Sequence, residues 1–255
     1  MLKMGNECIE DNIVIQYHKG STQERNATIT SPPGDNEDKS LLFKLVKPEQ
    51  SNPTNRYNNG RIQLNYYNLL GANHISLKFK LLLHTDFNHI LTYDKHFEWL
   101  TIAEFWNNAG WTGEKYPFRI SLNIVKGQKT DKQQLYLKVK AQTLDIEKRN
   151  WNFTIWSRTD DSFPIPINEW LTFNIELLEG DSNSGYFILY ISSDDNFSHK
   201  VFHINNFTHH PDDRFPDGFK HINPIKLYTS AQIIEHVSNL DGSLMIYWDN
   251  LEIRY

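Results

Sequence analysis

The sequence predicts an all-β protein, two antiparallel sheets stacked as a sandwich, on three observations. Apolar and polar residues alternate with a period of two in segment after segment. Turn-forming clusters separate these segments, at Ser31-Pro32-Pro33-Gly34-Asp35, Asn58-Asn59-Gly60, Gly180-Asp181-Ser182-Asn183-Ser184-Gly185 and Asp241-Gly242. Helical periodicity is nearly absent, with short helical turns expected only at Asp86 to Leu91 and Ala231 to Val237. Many short strands joined by polar turns are the pattern of a β-sandwich.

In chain order, strands are expected at Ile13 to Tyr17, Leu41 to Val46, Gly60 to Tyr67, His74 to Leu83, Leu100 to Trp106, Phe118 to Val125 and Leu135 to Thr143. They continue at Asn152 to Ser157, Trp170 to Leu178, Tyr186 to Ser192, His199 to Ile204, Ile225 to Ser230 and Ser243 to Arg254. A strand sends successive side chains to opposite faces, so each alternation assigns one face to the core. Ile62, Leu64 and Tyr66 alternate with Arg61, Gln63 and Asn65, and Leu135, Leu137 and Val139 alternate with Tyr136, Lys138 and Lys140. The same holds for Leu171, Phe173, Ile175 and Leu177, for Phe187, Leu189 and Ile191, and for Ile225 and Leu227 against Lys226 and Tyr228. Trp99, Trp151, Trp156, Trp170 and Trp248 are assigned to packing.

With 255 residues, 39% of them hydrophobic, the chain can bury one sizeable core. One domain over residues 1–255 is expected, with 1–40 in part irregular. A net charge of -5 argues against a general nucleic-acid binder, and no apolar run approaches the roughly 20 residues that span a bilayer. The lone cysteine, Cys8, has no partner for a disulfide or a metal site. The start, MLKMGNECIEDN, has no apolar leader. The Asn-x-Ser/Thr triplets at Asn26, Asn152, Asn196 and Asn206 are expected by chance in so Asn-rich a chain.

The chemistry concentrates between Glu98 and Gly127. In its first strand Thr101, Ala103 and Phe105 are expected on one face and Glu104, Trp106 and Asn108 on the other. In its second, Arg119, Ser121 and Asn123 oppose Phe118, Ile120, Leu122 and Ile124. A carboxylate, an indole, a guanidinium and amides on one sheet face are the equipment of a carbohydrate groove: rings stack on sugar C–H faces, and amides and arginine bind hydroxyls and carboxylates.

Three segments carry a resemblance. Gly60-Arg61-Ile62-Gln63-Leu64-Asn65, Ala103-Glu104-Phe105-Trp106-Asn107-Asn108 and Pro224-Ile225-Lys226-Leu227-Tyr228-Thr229 fall where concanavalin-like β-jelly rolls carry an early arginine motif, a middle Q-x-H and a late lysine–tyrosine element. The order is similar to that of polysaccharide lyases of the heparin lyase I and alginate lyase type, and the closing Tyr247-Trp248-Asp249-Asn250-Leu251-Glu252-Ile253 looks like their final strand. The resemblance covers about Gly60 to Tyr255, with Glu104 and Trp106 replacing the glutamine and histidine of that pattern. It implies a jelly roll whose concave sheet forms the ligand groove, and an acidic polysaccharide cleaved there by β-elimination. Tyr228, Lys226, Glu104 and Arg119 are then the catalytic candidates. Arg61, Gln63, Asn65, Trp106, Asn108, Asn123, Tyr136, Lys138 and His221 are the substrate-binding ones.

It also implies a secreted, periplasmic or cell-surface monomer with its leader absent, acting without a cofactor. Asp181-Ser182-Asn183 and Asp194-Asp195-Asn196 offer oxygens for a structural calcium but lack the spacing of a defined calcium loop. His209-His210-Pro211-Asp212-Asp213 reads as a solvated loop. Two rival functions stand. A lectin-like module would hold a glycan without cutting it. A glycoside hydrolase would need a second carboxylate beside Glu104, from Glu98, Glu114 or Asp145. Glu104 also suits a structural pair with Arg119, and Trp106 and Trp111 suit the sandwich rim.

Overall fold

The computed structural model describes residues 13–17, 25–34, 38–48, 59–95, 97, 99–108, 115–127, 133–145, 150–193 and 198–255. Cys8, Glu98, Trp111, Glu114, Asp194, Asp195 and Asn196 lie outside them, as do the side chains of Asn108 and Asp145. The described chain forms β1 (Ile13–Tyr17), β2 (Arg25–Thr30), β3 (Ser40–Leu45), β4 (Asn59–Ala72), β5 (His74–Leu83), β6 (Leu100–Asn108), β7 (Phe118–Lys126) and β8 (Leu135–Asp145). There follow β9 (Asn150–Thr159), β10 (Trp170–Leu178), β11 (Tyr186–Ser193), β12 (Ser198–Asn205), β13 (Phe219–Asn223), β14 (Lys226–Ser230) and β15 (Leu244–Arg254). The expected helical turns are α1 (Asn88–Leu91), preceded by a 3₁₀ turn, and α2 (Ala231–Ser238).

Two antiparallel sheets stack as a jelly-roll sandwich. One runs β1-β4-β13-β6-β7-β8-β9, with β14 also lying between β4 and β6, and the other runs β12-β11-β10-β5-β15-β3-β2. The apolar phases meet in one core: Ile62, Leu64, Phe105, Ile120, Leu122 and Leu137 from the first sheet face Phe43, Phe79, Phe173, Phe187 and Ile246 from the second. Trp248 is fully buried there, against Phe43 and Phe79. No described helix is long and apolar enough to cross a membrane.

Ile13–Tyr17 forms the strand expected of it, and Arg25–Thr30, where no strand was expected, adds β2 at the edge of the other sheet. Two expectations need correction. Asn59 and Gly60 do not turn the chain but begin β4, which runs on to Ala72. Thr101 does not share a face with Ala103 and Phe105. A bulge between Thr101 and Ala103 shifts the phase by one residue, so Thr101 lies opposite Asn123 and Ala103 opposite Leu122.

A second irregularity places the late strand. β13 and β14 occupy one position in the sheet, between β4 and β6, and are separated by Pro224 and Ile225. Proline has no N–H for the ladder, so pairing breaks there, while the Ile225 carbonyl accepts from Leu64 N at 3.1 Å. The interruption shifts the alternation, so that His221 and Asn223 before it and Lys226 and Tyr228 after it all reach the same outer face.

Candidate functional site

The outer face of the eight-stranded sheet is built in transverse rows fixed by strand register. Arg61, Tyr228, Thr101, Asn123 and Lys138 lie opposite one another across β4, β14, β6, β7 and β8. Asn223, Glu104, Ser121 and Lys140 form a second row, and Tyr67, His221, Trp106, Arg119 and Gln142 a third. Lys226 enters between the first two, opposite Gln63. At about 4.8 Å between strands, five strands carry each full row over roughly 20 Å.

At the centre, one carboxylate holds two cations. Arg119 Nη1 donates to Glu104 Oε1 at 3.2 Å, and Lys226 Nζ donates to Glu104 Oε2. The Glu104 and Lys226 side chains are 2% and 3% exposed, so both charges stand out of water. Burial alone would raise the Glu104 carboxyl, yet Lys226, Arg119 and the more distant Arg61 hold it below its ordinary value. Burial, reinforced by Arg61 and Arg119, lowers Lys226 to about 8 even though Glu104 opposes the shift.

Aromatic rings surround this pair. The Lys226 ammonium lies 5.1 Å from the centre of the Tyr228 ring, Arg61 lies 5.9 Å from the same ring, and Trp99 packs against it at 4.9 Å. Asn59 Nδ2 donates to the Tyr228 hydroxyl at 3.0 Å. Burial and the Glu104 charge push the Tyr228 phenol above its ordinary value. The Arg119 guanidinium lies 4.7 Å from the Trp151 ring and 5.6 Å from the Trp106 ring, two indoles that meet edge to face, and its other arm donates to Gln142 Oε1 at 3.1 Å.

A second group is made of amides. Gln63 Nε2 at 2.7 Å, Asn223 Nδ2 at 2.8 Å and His221 Nε2 at 3.2 Å converge on Asn65 Oδ1. The Trp106 indole donates to Asn223 Oδ1 at 3.2 Å. His221 stacks on Tyr67 at 4.6 Å and lies parallel to Trp106 at 6.3 Å. Burial, then the nearby Lys226 charge, lowers its pKa to about 4, so the imidazole is neutral at neutral pH.

The structure therefore brings together Arg61, Gln63, Asn65, Glu104, Trp106, Arg119, Asn123, His221, Lys226 and Tyr228. Tyr136 lies on β8 opposite Val125, two residues before Lys138, and donates its hydroxyl to Gln134 Oε1 at 2.6 Å. Lys138 belongs to the first row at its β8 end. The expectation of a water-facing set is also corrected. Gln63, Asn65, Glu104, Trp106, Asn123, His221 and Lys226 are all buried, and their polar groups bond to neighbours on the same sheet face. Asn123, for instance, accepts from Thr101 Oγ1 at 2.9 Å and donates to Ser121 Oγ at 3.1 Å.

Trp99 and Trp151, assigned to packing, touch Tyr228 and Arg119 instead. Tyr67 and Asn223 were missed, though each had a signal. Tyr67 continues the phase of Arg61, Gln63 and Asn65, and Asn223 stands two residues after His221. Asp181 Oδ1 accepts from the backbone N–H groups of Asn183 and Ser184, so that carboxylate organises its own turn. Among the described residues, no group of three or more His, Cys, Asp or Glu side chains could hold a metal ion.

No family model matches the sequence, and no curated protein matches it. Solved structures do. The alginate lyase Aly36B matches with a TM-score of 0.55 over 94% of this chain and 86% of its own, at 14% identity. The fold is that of jelly-roll polysaccharide lyases. An endo-β-1,4-glucuronan lyase from the fungus Trichoderma reesei matches these jelly-roll sheets at 0.53, with 15% identity over 93% and 89% of the two chains. A marine PL-14 alginate lyase from Aplysia kurodai matches at 0.52, with 9% identity over 96% and 90%. At these identities the likeness to the lyases is one of fold.

Proposed function

We propose that the protein binds an acidic polysaccharide along the rows of the eight-stranded sheet and cleaves it by β-elimination. The observation that carries this reading is the pair of cations, Lys226 and Arg119, sharing the single carboxylate of Glu104 beside the Tyr228 phenol. Two positive charges against one negative leave the cluster poised for an anion, and a uronate carboxylate is an anion that stacking rings and amides would also recognise. The likeness in fold to alginate and glucuronan lyases supports the same class of ligand.

β-Elimination needs three things from the protein. The carboxylate must be neutralised so that the adjacent C5 proton becomes acidic; Arg61, Arg119 and the amides of Gln63 and Asn65 are the groups for this. A base must remove that proton as the C4–O bond breaks and a C4=C5 double bond forms. A proton must reach the leaving glycosidic oxygen. Lys226 and Tyr228, adjacent on one strand and on one face, are the proton movers of this reading. The ion pairs with Arg119 and Lys226 favour the ionised Glu104 carboxylate, which supports the lyase reading over one in which Glu104 is a hydrolase's acid.

A binding module is the second reading, favoured by the burial of Lys226 and Glu104. Incubation with alginate, glucuronan and other uronic acid polymers, followed by ultraviolet absorbance of the unsaturated product, separates the two. Product formation supports the lyase. Retained binding with no product on any uronic polymer overturns it in favour of the module. Acting on such polymers, the protein would work outside the cell.

A further inference from the structure

Glu104 is the carboxylate shared by both cations at the centre of the sheet face, and its charge has a consequence that a neutral glutamine of the same shape would not have. Glutamine would keep the shape of the side chain and one acceptor oxygen, but not the charge. Here the carboxylate is buried with one oxygen on Arg119 and the other on Lys226, so its negative charge is spent on fixing these two side chains. Lys226 cannot rotate away without leaving a buried carboxylate short of a donor, and the bond aims its ammonium over the Tyr228 ring.

We propose that Glu104 is a positioning residue, which holds Lys226 over Tyr228 and keeps the proton on the Lys226 amine. This rests on the lyase reading only for its effect on turnover; the placement of the proton is a property of the folded chain. The charged and titratable groups that face Lys226 are Arg61 on β4, Glu104 on β6, Arg119 on β7, His221 on β13 and Tyr228 on its own strand, with Tyr67 of β4 stacked behind His221. Burial, Arg61 and Arg119 all favour the neutral amine, and against them Glu104 is the charged group that favours the ammonium. Its removal therefore has one direction: the Lys226 proton is lost at lower pH. Whether Lys226 acts as base or as acid, the limb of the pH–rate profile that belongs to it moves the same way.

The test is a direct titration of Lys226 by NMR, following its Cε signal in lysine-labelled protein, assigned by its loss in Lys226→Met. In the unaltered chain this signal is expected to titrate near 8, below the ordinary lysine value. In Glu104→Gln it is expected lower by about one unit or more, the size of shift that an adjacent opposite charge produces. In Glu104→Asp, which restores the charge, it returns towards the original value. A Lys226 that titrates at the same or higher pH in Glu104→Gln overturns the proposal. Arg119→Gln is the independent arm, needed where Glu104→Gln fails to fold. Loss of the guanidinium is expected to raise the Lys226 titration, and an unchanged or lowered one overturns the proposal. Where product forms, the Lys226 limb of the pH profile must shift with the NMR titration in Glu104→Gln, and a static limb overturns the effect on turnover. Where no product forms on any uronic polymer but the NMR shifts appear, the lyase reading falls and the positioning role stands.

Discussion

Lys226 and Glu104, 122 residues apart in sequence, form an ion pair whose two side chains are 3% and 2% exposed. Removing one partner of such a pair leaves the other charge uncompensated, whereas removing both can be nearly neutral. Lys226→Met is therefore expected to lower stability by about 3–5 kcal/mol, the usual cost of breaking a buried pair from one side. The double variant Lys226→Met with Glu104→Gln should lose much less than the sum of the single losses. Urea denaturation of the four proteins measures this coupling, and strictly additive losses would show that the pair contributes nothing specific.

Arg119 is held by its charge and by its shape together. Its guanidinium packs against both Trp106 and Trp151 and bridges Glu104 to Gln142. Lysine can replace the charge but neither the stacking nor the fork of donors. Arg119→Lys is expected to weaken binding of a uronic acid oligosaccharide by about tenfold, the equivalent of about 1.4 kcal/mol. Titration calorimetry reads this directly; unchanged affinity would mean that only the charge of Arg119 matters.

His221 supplies a pH dependence of known sign. Folded, its imidazole takes a proton only near pH 4, while in the unfolded chain it does so near 6.5. Between these values the unfolded state binds more protons, so the contribution of this group is fully present above about 6.5 and is lost as pH falls towards 4. The His221 ring signals should stay those of a neutral imidazole through neutral pH. His221→Phe, which keeps a ring against Tyr67, should flatten stability against pH across that window. A His221 that titrates near 6.5 in the folded protein would refute both expectations.

The sandwich was legible because period-two alternation is a direct consequence of strand geometry: His74–Leu83 and Trp170–Leu178 were bounded to the residue. The site was legible only in part. Arg61, Glu104, Arg119, Lys226 and Tyr228 share a face by that same rule, but their burial depends on pairing across strands far apart in sequence. Thr101 was misplaced because a bulge is a tertiary accommodation that leaves the residue pattern intact. β13 escaped notice because Phe219–Asn223 is short and abuts Pro224, which reads as a break, although the break itself keeps Asn223 and Lys226 on one face. Trp151 and Trp99 carry no local mark that distinguishes a site tryptophan from a core one.

Tyr228→Phe removes one oxygen from the site. The hydroxyl accepts from Asn59 at 3.0 Å, and the ring keeps its contacts with Lys226, Arg61 and Trp99 without it. Stability should fall by only about 1 kcal/mol, the worth of an ordinary hydrogen bond. If the phenol moves a proton in turnover, product formation should drop by at least about a hundredfold with oligosaccharide binding intact, in line with general acid–base contributions. Turnover close to that of the unaltered protein would remove Tyr228 from the proton path.

Gly218 controls where the late strand begins. It has φ +87° and packs against Gly71, itself at φ +75°; a Cβ on Gly218 would lie 2.2 Å from the Gly71 carbonyl carbon. Its N–H donates to Glu179 Oε1 at 2.9 Å and its carbonyl accepts from Asn107 at 3.2 Å, which ties β13 to β6 and to the end of β10. Gly34 offers the control, with φ +84° and open space around its missing Cβ. Gly34→Ala should cost only the left-handed backbone penalty of about 1–2 kcal/mol. Gly218→Ala carries the same penalty plus a backbone clash that no rotamer relieves, so its loss should be greater by about 2 kcal/mol or more. Because His221 lies three residues on, the clash should also disturb the His221–Tyr67 stack, visible as a changed ring-current shift. Equal losses in the two variants by urea denaturation would show that the Gly71–Gly218 approach is not what positions β13.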